Sequence, residues 1–185
     1  MSRPPVNQIP NILTTLRLFL AAPICLFILD ENYGVVLWIA FVAGISDGLD
    51  GWLARKMGAE SRYGSIVDPL SDKAMLTGAF VSFAVVGVLP WWVVTIVVVR
   101  DVIIVSGAVL CHRLLGRYKI APSLWGKTST AIQITFILML LIQQVTPLFP
   151  DIIFRVVLWI MIAMVFISGG DYIHTWGRKV LIKGK

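Results

Sequence analysis

The chain has 185 residues, of which 58% are hydrophobic and 14% charged, with a mean hydropathy of +0.87. Too few polar residues remain to cover a water-soluble globule of this length, which excludes an ordinary soluble enzyme and intrinsic disorder, while two cysteines, Cys25 and Cys111, are too few for a disulfide scaffold. Sixteen Lys and Arg against ten Asp and Glu give a net charge of +6, but these cations sit in short segments beside apolar stretches, where they set topology and attract anionic lipid head groups, and no basic-aromatic groove suggests nucleic acid.

In chain order, residues 1–10, with the Asn7-Gln8-Ile9-Pro10 turn, read as a short interfacial segment. Six apolar spans follow, predicted at 11–29, 34–54, 64–87, 90–111, 124–145 and 152–175, each near the ~20 residues that a hydrocarbon core requires. They are separated by Asp30-Glu31, the 55–63 segment, Gly87 to Pro90, the 112–122 segment and Gln143 to Asp151. The first span lacks a small-residue cleavage site, so no signal peptide is expected. Cations concentrate before the first span (Arg3, Arg17), in the second connection (Arg55, Lys56, Arg62), in and just after the fourth (Arg113, Arg117, Lys119, Lys127) and in the tail (Arg178, Lys179, Lys183, Lys185). The positive-inside rule then places both termini in the cytoplasm. The expectation is one all-α integral membrane domain over residues 1–185 with six transmembrane helices, located in a bacterial inner membrane with a cytoplasm-facing site.

Spans two and three carry the most informative charges. Asp47, Asp50, Asp68 and Asp72 lie within or at the ends of apolar runs, where an ionised carboxylate costs several kcal/mol unless paired or bound to metal. At ~100° per residue, Asp47 and Asp50 are ~300° apart and Asp68 and Asp72 ~400°, so each pair projects from one face, one turn apart. A connection of about ten residues returns the chain antiparallel and brings the pairs to similar depth, by the same helical geometry. Four hard oxygen ligands without His or Cys suit two Mg²⁺ or Mn²⁺ ions; intramembrane acids also serve proton or cation pathways. Gly48, Gly51 and Ala54 keep the adjoining face clear, Arg55 offers a fork suited to phosphate, and Gly64 opens the facing helix.

The stretch Asp47-Gly-Leu-Asp50-Gly51-Trp-Leu-Ala54-Arg55, followed after eight residues by Gly64-Ser-Ile-Val-Asp68-Pro-Leu-Ser-Asp72, resembles the signature of the CDP-alcohol phosphatidyltransferases, with all nine signature positions filled. Asn11 to Arg17 resembles the first helix of the phosphatidylglycerophosphate and cardiolipin synthase branch. The resemblance implies transfer of a phosphatidyl group from CDP-diacylglycerol to an alcohol with release of CMP, acting on membrane lipids, in a homodimer. It also implies two divalent cations held by Asp47, Asp50, Asp68 and Asp72, with Asp72 as the base for the acceptor hydroxyl. Gly51, Ala54, Arg55 and Gly64 would bind the CDP moiety, and Thr14 and Arg17 would contact the acceptor or its phosphate.

For the acceptor, Arg100 and Asp101 in span four read equally as a structural ion pair or as phosphate recognition. Ser123 to Gln133 resembles the G-K-x-K-T segment that opens span five in phosphatidylglycerophosphate synthases, with Lys127 as the phosphate contact. Two departures are Ser129 in place of the second lysine and Ala108 in place of an arginine eight residues after Arg100. Together with the Asp171 to Lys179 tail they lean the acceptor toward phosphatidylglycerol, hence a cardiolipin synthase, with glycerol 3-phosphate the alternative. A small ion-coupled transporter is the competing class, against which stand the absence of inverted repeats and the clustering of the acids at one rim. Ala121 to Thr128 satisfies a permissive P-loop pattern, but Pro122, Trp125 and the absence of a preceding strand argue against phosphate cradling there. Gly44 and Gly48 form a G-x-x-x-G, read as close helix contact or a dimer seam.

Overall fold

A computed structural model describes the backbone of residues 21–57, 64–115 and 123–183 and the side chains of 21–45, 73–107 and 123–175. Every regular element among them is a helix: α1 over residues 21–29, α2 Tyr33–Met57, α3 Gly64–Val85, α4 Trp91–Leu115, α5 Leu124–Val145 and α6 Asp151–Lys183. The interfacial segment expected at 1–10 lies outside the described residues. Predicted and observed boundaries agree to a few residues for α2 to α5 and for the end of α1, whose predicted start at 11 lies outside the described residues; α6 continues to Lys183 instead of ending at 175. Loss of hydropathy ends a span but not a helix.

The chain divides into two compact units, the first running to Leu89 with Gln144–Thr146, the second taking Pro90–Gln143 and the chain from Pro147 onward. In the first unit, Ile24 and Ile28 on α1 and Leu76, Ala79, Phe80, Phe83 and Ala84 on α3 are buried at the i, i+3, i+4, i+7 spacing of single helical faces. Gly78 lies at a close approach of α3 to α1: a Cβ there would stand 2.7 Å from the Cys25 sulfur, which would have to shift. Tyr33 stacks on Phe83 with centroids 6.0 Å apart. A Cβ built at Gly44 meets nothing within 4 Å, so packing among the described residues does not demand glycine at that position.

Two helices of this unit end in the same way. After α1, Asn32 N–H donates to the Phe27 carbonyl and Glu31 N–H to that of Ile28; after α3, Val88 N–H donates to Phe83 and Gly87 N–H to Ala84. Both are Schellman caps, which need a left-handed residue at the turn. Gly87 supplies it at φ 79°, but at the first cap the residue is Glu31 at φ 56°.

In the second unit α4 packs against α6. Val93, Val94, Val97 and Arg100 form the buried stripe of α4, and Met161, Ile162, Val165, Ser168 and Tyr172 that of α6. The buried face of α5 changes character along its length, from Gly126, Ser129 and Gln133 to Phe136, Ile137, Leu140 and Leu141. Helix α6 starts with a hydrophobic staple, Phe149 against Phe154 at 6.0 Å, around Pro150. The α5–α6 turn is closed by Gln143, whose Oε1 accepts from Leu148 and Phe149 N–H at 3.1 and 3.0 Å while its Nε2 donates to the Phe149 carbonyl.

The outward faces are as apolar as the buried ones. Trp38, Phe41, Val102, Trp159, Phe166 and Ile173 are all exposed, an arrangement that water would penalise and lipid favours. Among the described residues, two helices are long and apolar enough to cross a membrane, Leu124–Val145 and Asp151–Thr175.

Candidate active site

Helix α2 carries Asp47, Asp50, Gly51, Ala54 and Arg55, and α3 carries Gly64, Asp68 and Asp72. The backbone is helical at all eight positions, the condition under which the three- and four-residue spacings place each acid pair on one face. The side chains of these residues lie outside the described set, as do Thr14 and Arg17 entirely. Among the described residues no group of His, Cys, Asp and Glu is arranged to hold a metal ion.

Arg100 is the buried cation of α4, 5% exposed. Its Nη1 donates to Asp101 Oδ1 at 2.8 Å and its Nη2 to Ser168 Oγ on α6 at 2.6 Å, while Nε is buried without a partner. Of the two readings open from sequence, the Arg-Asp pair is formed, with Ser168 as a third member that sequence reading missed. A cavity of about 240 Å³ between α4 and α6 is lined by Arg100 with Thr95, Val99, Val165, Gly169 and Ile173 among its neighbours. It is smaller than the ~300–1,000 Å³ of ordinary small-molecule pockets, too small for a nucleotide.

Lys127 sits in the first turn of α5 and is exposed. Ser123 caps this helix, its Oγ accepting from Gly126 N–H at 3.1 Å and its carbonyl from Lys127 N–H at 3.1 Å. From Leu124 onward the P-loop-like segment is thus ordinary capped helix. The Ser123 N–H donates in turn to the hydroxyl of Tyr172 on α6, at 3.2 Å. Ser129, at the position of the missing second lysine, is fully buried and accepts from Gln133 Nε2 at 3.3 Å. Serine directly before an apolar helix is a readable cap signal; the dependence of that cap on Tyr172, 49 residues away, has no local sequence signature.

Residues 7–167 match the profile of the CDP-alcohol phosphatidyltransferases. The chain belongs to this family. CDP-alcohol phosphatidyltransferases use CDP-alcohol donors and alcohol acceptors, act on membrane lipids and are generally dependent on divalent metal. A Mycobacterium tuberculosis protein named probable phosphatidylglycerophosphate synthase is 32% identical over 178 residues, covering 91% of this chain and 81% of that one. The rat protein named cardiolipin synthase (CMP-forming) is 28% identical over 195 residues, covering 96% and 64%, and its human counterpart is 26% identical over 189 residues, covering 94% and 62%. The chain spans less than two thirds of the length of either mammalian relative. Family membership sets aside the transporter reading.

Proposed function

We propose that this protein transfers a phosphatidyl group from CDP-diacylglycerol to the hydroxyl of a phosphate-bearing alcohol and releases CMP. The observation that carries the reading is the complete nine-position signature on α2 and α3, inside the family match. The acceptor oxygen bonds to the phosphatidyl phosphorus, the bond from that phosphorus to the bridging oxygen breaks, and CMP leaves with the electron pair.

The donor set fits two divalent ions, Mg²⁺ or Mn²⁺: Asp47, Asp50, Asp68 and Asp72 are four hard carboxylates with no imidazole or thiol among them. When bound, such ions supply charge neutralisation to the pyrophosphate and the departing CMP. The Asp72 carboxylate takes the proton of the acceptor hydroxyl, Arg55 pairs with the donor phosphates, and Gly51, Ala54 and Gly64 leave space for the nucleotide. Thr14, Arg17 and Lys127 are assigned to the acceptor or its phosphate; Arg100, with two of its nitrogens bonded to Asp101 and Ser168, is taken first as structural, phosphate recognition being its second reading.

Phosphatidylglycerol is the preferred acceptor, making the product cardiolipin. Its support is the loss of two cations, at Ser129 and Ala108, which a dianionic acceptor would use. Glycerol 3-phosphate is the second reading, favoured by the name and coverage of the mycobacterial relative. The reading further takes the chain as one domain with six spans and cytoplasmic termini in a bacterial inner membrane, acting as a homodimer with its site toward the cytoplasm. The test is CMP release from CDP-diacylglycerol by purified protein with Mg²⁺, with phosphatidylglycerol, glycerol 3-phosphate or inositol phosphate in parallel and EDTA as control. Cardiolipin formation supports the preferred acceptor, stimulation by glycerol 3-phosphate the second, and absence of metal-dependent CMP release refutes the enzyme reading.

A further inference from the structure

Ser123 holds three contacts at once. Its hydroxyl caps Gly126, its carbonyl receives the Lys127 N–H, and its own N–H is held by the Tyr172 hydroxyl at 3.2 Å. Tyr172 is 8% exposed, so its ring has little freedom to follow a moving partner. A Cβ at Gly126 would lie 2.8 Å from the Tyr172 Oη, 3.0 Å from Cε2 and 3.3 Å from Cζ; the ring therefore lies directly against the turn that precedes Lys127. Phenol and glycine together fix the height and rotation of the first turn of α5.

That turn carries no acid, and it bears an exposed lysine beside the positive end of the helix dipole. The lysine and the dipole repel one another unless an anion lies between them, and they act together on an anion only if the turn is held in place.

We propose that Tyr172 is a positioning residue for acceptor recognition: through Ser123 and Gly126 it sets the turn from which Lys127 meets the phosphate of the acceptor. The inference rests on the transferase reading above, and the chemistry recognised is a phosphate ester of either kind, the phosphodiester of phosphatidylglycerol or the phosphomonoester of glycerol 3-phosphate.

The experiment is steady-state CMP release in mixed micelles by full-length wild type, Tyr172→Phe, Gly126→Ala, Lys127→Ala and the double variant Tyr172→Phe/Lys127→Ala, with each acceptor separately. Loss of the neutral hydrogen bond from Ser123 N–H predicts that Tyr172→Phe raises the acceptor KM roughly three- to tenfold, with kcat and the donor KM within about twofold. Lys127→Ala raises it further, and Tyr172→Phe adds nothing in that background, because the tyrosine acts through the lysine. Gly126→Ala, which keeps the hydroxyl but displaces the ring, shifts the acceptor KM in the same direction. Thermal unfolding of each variant identifies any that fails to fold, and the remaining ones decide.

The inference is overturned if folded Tyr172→Phe leaves the acceptor KM unchanged, multiplies the Lys127→Ala effect in full, or depresses kcat and both KM values alike as a general loosening would. An elevated acceptor KM in Lys127→Ala with none in Tyr172→Phe removes the positioning role and spares the transferase reading. No CMP release by wild type with either acceptor removes both.

Discussion

At Arg100 a cation inside α4 has its counterion one residue away and a hydroxyl from α6 on its other arm, so two of its three nitrogens are satisfied within the protein. At Asp47, Asp50, Asp68 and Asp72, charges of one sign recur at one-turn spacing on each of two helices, an arrangement that repels. The first arrangement needs no ligand to persist in an apolar setting; the second is the one for which a cation is proposed. A charge in an apolar run is therefore ambiguous by itself, and the sign and spacing of its neighbours distinguish a scaffold from a candidate site.

The contrast breaks most sharply at the acids. Asp50→Asn or Asp68→Asn is expected to lower CMP release by a factor on the order of 10²–10³ with the thermal transition retained. EDTA should lower wild-type activity as far, with recovery on adding Mg²⁺. An active, folded Asp50→Asn protein would refute the metal site.

Arg100 should respond in stability. Arg100→Met takes the guanidinium away from both Asp101 and Ser168 and is expected to cost about 2–3 kcal/mol, read as a lower unfolding midpoint in detergent. If the midpoint holds and the acceptor KM rises instead, Arg100 belongs with the substrate contacts. Ser168→Ala should follow with a smaller loss, about 1–2 kcal/mol, since it removes one hydrogen bond to the same guanidinium.

Glu31, a charge lying between helices, gives the smallest effect. It occupies the left-handed cap position that Gly87 fills after α3, so Glu31→Gly should raise stability by about 1 kcal/mol. A fall in the unfolding midpoint would show that the Glu31 side chain contributes more than its backbone conformation costs.

Much of this contrast is legible in sequence, because the features involved are local or periodic. Helix positions follow from runs of apolar residues broken by charge, Pro and Gly, and the acid spacing follows from the pitch of a helix. The Arg100-Asp101 pair is readable because its members are adjacent. Ser168 and Tyr172 are not: Ser168 closes an apolar run of α6 and Tyr172 lies in the more polar stretch after it, and each gains its role from a residue outside that helix, 68 and 49 positions away. The length of α6 also escapes a reading based on hydropathy, which detects lipid contact and is silent about helix beyond it.

Gln143 carries a consequence for how the chain is assembled. One amide occupies three backbone groups of the α5–α6 connection, groups that would otherwise have to find water or remain unsatisfied in hydrocarbon. With these groups bonded inside the connection itself, the turn between α5 and α6 does not depend on water to close, a property suited to a protein that acts on membrane lipids. Replacing Gln143 by leucine keeps the bulk and leaves those three groups to find other partners, a cost met in closing the turn, before any chemistry begins.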